Sequence, residues 1–159
     1  MNGTKLLDST TRVLGLAWGV HGPFRDYVQR MPDGHCQVAD GATMLSSSEA
    51  FFPVDDDATT EGHLRFRGRL EFTGHRGMMA VVIEAPGLEQ NSGGSSHLTI
   101  RDPFDPAQRM AFVAVELHND HTGTTRLTES GTDVFMGNYT QHTDFDPVRL
   151  VLAEEDQQQ

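Results

Sequence analysis

Cysteine occurs once in this chain of 159 residues, as Cys36. An internal disulfide is therefore excluded, and no pair of thiolates exists to build a structural zinc site. Basic residues are also scarce, twelve against twenty-three acidic ones, for a formal net charge of −11. That balance lacks the basic footprint of a nucleic-acid binder and argues against docking on an anionic membrane surface. No apolar run is long enough to span a bilayer. Residues 13–20 are apolar, but the run is short, holds two glycines and ends in no cleavage-like site. No signal peptide is read there, and the expected localisation is cytoplasmic. No serine sits in a nucleophile elbow, and no glycine loop is spaced to cradle phosphate.

What the chain does have is a strong period of two. Residues 64–77 read LRFRGRLEFTGHRG. Leu64, Phe66, Leu70 and Phe72 alternate with Arg65, Arg67, Arg69 and Glu71, and Gly68 fills the gap. Such alternation predicts a β-strand with one apolar face. The segment 73–77 then predicts a glycine-bounded turn carrying His75. A strand apolar on both faces is expected over 78–84, completing a hairpin. Four of the twelve basic residues fall within 65–76, so this hairpin is locally basic.

The remaining chain is punctuated by glycine and proline. A loose arm is expected over 1–12 and a first strand over 14–18. Pro23 suits the first position of a helix, where its missing N–H costs nothing. Phe24, Tyr27, Val28 and Met31 follow it at helical spacing, so one face is apolar, and Pro32-Asp33-Gly34 ends the helix. Tyr27 belongs to that apolar face, where its hydroxyl needs a partner. Strands are expected over 35–39, 42–45, 97–102, 124–128, 132–136 and 148–153. The stretch 109–117 reads as a strand covered on both faces. NSGGSS, residues 91–96, reads as a loop tip, 119–123 as a turn, and 154–159 as a polar tail. The pattern predicts an all-β (β-rich α+β) fold of two packed antiparallel sheets, sandwich-like, with one or two short helices, as one domain over 13–153.

Eight histidines offer metal candidates. His118 and His121 form H-x-x-H, but on a strand they point to opposite faces. Asp55-Asp56-Asp57 lacks the spacing and distal glutamate of a calcium loop. Cys36 has no histidine pairing, because neighbouring His35 points the other way. The chain has only two tyrosines, Tyr27 and Tyr139.

Three blocks carry a family resemblance. They are WGVHGPFRDYV at 18–28, LRFRGRLEFTGHRG at 64–77 with its Phe72-Thr73-Gly74-His75, and FMGNYTQHTDFDPVRLVL at 135–152. In this order and over this length, the chain resembles the HtaA-type haem-binding domain of actinobacterial haem-uptake proteins. The resemblance implies ferric haem as cofactor, clasped between a helix and sheet loops. It implies Tyr27 as the axial iron ligand and His75 as hydrogen-bond partner of the tyrosine oxygen. The family serine four residues before that tyrosine is Pro23 here, so a haem propionate needs another partner. Arg76 is the expected cation, since Arg25 points away from the face of Tyr27 on a helix. Phe24, Met78, Met79 and Phe51 are candidate apolar walls.

The chemistry of the residue types agrees with that role. A phenolate is a hard anionic oxygen ligand that suits ferric iron, and a histidine beside it orients the oxygen and tunes its basicity. The expected function is a non-catalytic protein that carries or buffers ferric haem. The alternatives are a small cytoplasmic enzyme or hydrophobic-ligand binder that reuses the pocket, with His75 as base and Tyr27 as acid, and an interaction module in which both are core residues.

Overall fold

The computed structural model describes residues 12–60, 62–90, 95–118 and 121–153. Most of the expected arm, the tail, the first four residues of the NSGGSS loop and part of the turn at 119–123 lie outside these residues.

Among the described residues, twelve strands and two short helices follow one another along the chain. They are β1 (Val13–Trp18), α1 (Gly22–Arg30), β2 (His35–Ala39), β3 (Thr43–Ser46), β4 (Glu49–Pro53), β5 (His63–Arg65) and β6 (Arg69–Gly74). Then come β7 (Met79–Glu84), β8 (Gly87–Gln90), β9 (Ser96–Arg101), β10 (Arg109–Leu117), β11 (Thr122–Leu127), α2 (Glu129–Thr132) and β12 (Asp144–Leu152). Nine strands form one antiparallel sheet in the order β3-β4-β1-β12-β11-β10-β9-β8-β5, and three form a second in the order β2-β6-β7. The apolar faces of both sheets contribute to one core, in which Trp18, Phe52, Phe66, Phe72 and Phe112 are fully buried. This is the expected sandwich-like arrangement. Among the described residues no helix is long and apolar enough to cross a membrane, which says nothing of a β-barrel.

The alternation over residues 64–72 is real, but it is not one strand. Leu64 pairs with Leu88 in the large sheet, whereas Leu70 pairs with Val38 and Ile83 in the small one. The chain changes sheets at Gly68, whose φ is +122°. A Cβ at that position would stand 2.6 Å from the Cβ of Ala42. Glycine is required here by both conformation and space.

Three other expectations are corrected. Residues 132–135 are helical and Met136 closes them with a φ of 54°: α2 passes into a tight 3-10 turn over Asp133–Phe135. Thr128 caps α2 by accepting the Gly131 N–H at 2.9 Å, and Glu129 stands in the first turn, both ordinary start signals of a helix. Strand β10 is not covered on both faces, because Ala114 and Glu116 are exposed. Its register shifts between Ala111 and Val113, and around this irregularity Phe112 and Val113 both lie in the core. A bulge therefore produces the apolar run. Strand β7 likewise buries Met79, Val81 and Ile83 but exposes Ala80.

Candidate functional site

Helix α1 is fixed by partners far along the chain. Its N-cap residue, His21, makes no side-chain cap. The Gly22 N–H instead donates to Asp146 Oδ1 at 3.0 Å, so a remote carboxylate satisfies a free amide at the positive end of the helix. Asp146 Oδ2 also accepts from Arg25, which donates to the Gly19 carbonyl as well. The Asp146 carbonyl accepts from Trp18 Nε1 at 2.7 Å. Arg25 is thus occupied. It faces a cavity of about 190 Å³ shared with His35, Cys36 and Glu49, separate from the one containing Tyr27.

Phe24 and Val28 point into the core, and Phe24 meets Phe72 and Phe135 edge-on at centroid distances of 5.1 Å each. Tyr27 is displaced to the flank of this stripe and is 43% exposed. It is not the buried residue that helical spacing suggests, because only Phe24, Val28 and Met31 fill the core face.

His75 follows β6 in a tight turn over His75–Gly77. Tyr27 Oη and His75 Nε2 share a hydrogen bond of 2.6 Å. Gly74 permits this approach. Met31, at the end of α1, lies so close that a Cβ on Gly74 would be 2.6 Å from its sulfur.

Tyr27 and His75 edge a cavity of about 730 Å³, within the roughly 300–1,000 Å³ span of small-molecule and cofactor sites. Phe24, Met79, Val81 and Phe135 supply apolar wall, and Tyr139 and Asn138 add polar atoms. Met78 and Met136, 83% and 63% exposed, also line it. Tyr139 meets Phe135 edge-on at 5.2 Å. Burial, and secondarily the neighbouring Tyr27, raises the pKa of Tyr139, which keeps its hydroxyl protonated.

Of the residues singled out from the sequence, the structure brings together Tyr27, His75, Phe24, Met78 and Met79. Phe51 is elsewhere: it lies on β4 against Gly15. Arg76 is exposed on the turn after His75 and is not part of the wall. Sequence reasoning did not place Phe135, Met136 or Asn138, because it read 132–136 as a strand. The Thr128 cap was the available signal. Among the described residues, no group of three or more His, Cys, Asp or Glu gathers in a metal-holding cluster.

Fold and cleft together define a class: an antiparallel two-sheet protein whose longer helix helps wall an apolar cleft edged by tyrosine and histidine. The HtaA family model (Htaa) matches residues 14–151, and the chain belongs to this family. Among solved structures, the N-terminal domain of HtaA from Corynebacterium glutamicum superposes with a TM-score of 0.73 at 22% identity, covering 90% of this chain and 98% of that one. The heme binding protein HtaB from the same organism gives a TM-score of 0.64 at 19% identity, covering 90% and 93%. At these identities the likeness is one of fold. No curated protein sequence matches the chain significantly.

Proposed function

We propose that this protein binds ferric haem in the cleft beside α1, with Tyr27 as the iron ligand, and carries or buffers it without catalysis. The observation that carries the reading is the Tyr27–His75 hydrogen bond at the edge of a large, mostly apolar cavity. Membership of the HtaA family supports it, as does the fold shared with a protein described as a heme binding protein.

The residues present fit the group. Haem needs apolar walls for its ring and polar surroundings for its two carboxylates. Phe24, Met79, Val81 and Phe135 provide the former. With Pro23 in place of the family serine, the amide of Asn138 and the hydroxyl of Tyr139 are, besides Tyr27 and His75, the side-chain donors among the described lining residues, and Arg76 stands exposed on the adjoining turn. Bound haem would supply a ferric centre that favours a hard anionic oxygen. Tyr27, a partly exposed residue of the cleft lining, offers that oxygen. His75 Nε2 is placed to take the phenol proton, or to donate to the phenolate, and so to orient it. The alternative, an acid–base enzyme on the same pair, predicts a pocket too small or too polar for porphyrin; a cavity of about 730 Å³ with a mostly apolar lining favours the haem reading over it.

Titration of the purified protein with hemin should give a saturable absorbance change of ferric, high-spin type. Tyr27→Phe should abolish or greatly weaken it. His75→Ala should weaken it by about 10- to 100-fold, the usual cost of removing an outer partner of a metal ligand. Unchanged hemin affinity in Tyr27→Phe overturns the ligand assignment.

A further inference from the structure

We propose that Asp33 is a positioning residue for the Tyr27–His75 pair, its carboxylate tying the turn that carries His75 to the helix that carries Tyr27. Asp33 Oδ2 accepts the Arg76 N–H at 2.7 Å, and Oδ1 accepts the His75 N–H at 3.2 Å. The backbone of that turn explains the arrangement. His75, Arg76 and Gly77 have φ of 52°, 58° and 84°. Successive residues of this kind can turn their amides into a shared concavity that binds an anion. Here the anion is a side chain of the same protein. Left-handed residues other than glycine are strained, and the surroundings must hold them in place.

Asp33 is well placed to do this for the cleft. It lies just beyond α1, on a segment locked to the helix end by Met31 N–H to Val28 O at 3.2 Å and Gly34 N–H to Met31 O at 3.1 Å. Two elements distant in sequence are thus bridged at two points: the carboxylate on the backbone of the turn, and Tyr27 Oη on the ring of His75. The Arg76 N–H, as the largest cause, holds the Asp33 carboxyl below its ordinary value, which agrees with a carboxylate engaged in the folded protein. Asp33 does not line the cleft, so it acts through His75.

The test has one arm that needs no haem. In the ligand-free protein, magnetisation transfer between the rings of Tyr27 and His75 reports their contact, whose centroids are 5.9 Å apart. Asp33→Ala should remove that signal while the rest of the spectrum stays folded. Asp33→Asn, which keeps one acceptor oxygen, should leave it weakened but present. The second arm rests on the haem reading. Hemin loss should accelerate about threefold or more in Asp33→Ala, but no more than in His75→Ala. The double variant should lose hemin no faster than His75→Ala alone, because both changes remove one coupled interaction. A ring contact unchanged in Asp33→Ala overturns the proposal, and so does a double variant whose two effects add in full. If the unaltered protein binds no hemin, the haem reading falls and the ring contact alone decides the role of Asp33.

Discussion

His21 shows how a titratable side chain can serve as an aromatic plate. It is buried at the start of α1, flat on Phe145 with centroids 4.2 Å apart and edge-on to Tyr139 at 4.9 Å. Burial is the first cause that lowers its pKa from 6.5; Arg25 adds to the lowering and Asp146 opposes it. The folded protein therefore prefers the neutral ring more than the unfolded chain does. Well above pH 6.5 the ring is neutral in both states and imposes no penalty. As pH falls below that value the unfolded chain takes up the proton first, and stability declines until the folded protein is protonated too. Thermal melts between about pH 5 and 8 should show this decline, and His21→Phe, which keeps the stacking, should flatten it. Parallel curves for the two proteins would refute this account. None of this was legible at residue 21, because Phe145 and Tyr139 are close only in space. Tyr27 was legible in a different measure. Spacing put it on α1 beside Phe24 and Val28, but not on the open flank, since exposure depends on where β7 and residues 135–139 leave a gap.

At the scale of elements, Gly68 separates what the sequence makes plain from what it hides. The period of two through Leu64, Phe66, Leu70 and Phe72 identifies the buried face correctly, and strand backbone on either side of a break at residues 66–68. It cannot tell that β5 and β6 belong to different sheets, because sheet membership is set by hydrogen bonds to β8, β2 and β7. The glycine filling a gap in the alternation was the local sign of a break. Gly68→Ala should cost about 2–4 kcal/mol, from the unfavourable φ together with the clash on Ala42. Denaturant unfolding measures it; a loss well under 1 kcal/mol would mean the sheet change tolerates a side chain. The helical stretch at 129–135 fails in the opposite way. Its apolar residues suit a strand, yet the Thr128 cap and the acidic first turn prevail. The wall residues Phe135 and Met136 enter the cleft only through that turn.

For the whole molecule, frequent turns and short alternating runs were enough to predict two antiparallel sheets. The cleft was not predictable from pattern, since α1, the turn after β6, β7 and residues 135–139 each supply only part of its wall. Only the ordered family blocks brought Tyr27 and His75 into one site in advance. Charge adds a property that no single element shows. The protein carries a net charge of −11, and hemin brings two carboxylates of the same sign. Among the described residues no arginine or lysine lines the cavity, and Arg25 is turned to Asp146 on the other side of the helix. The long-range field should therefore oppose hemin's approach rather than steer it. Screening shortens from about 30 Å at 0.01 M salt to about 8 Å at 0.15 M. Stopped-flow association with submicromolar, monomeric hemin should consequently speed up as salt is added, the reverse of a steered encounter. Arg76, the exposed cation beside His75, offsets part of the repulsion locally. Arg76→Ala should slow low-salt association by about two- to threefold and change the rate little at 0.15 M, where the charge is screened. A rate that falls with salt in the unaltered protein would show that a local cationic patch outweighs the net charge, and an Arg76→Ala variant as fast as wild type at low salt would remove Arg76 from the approach path.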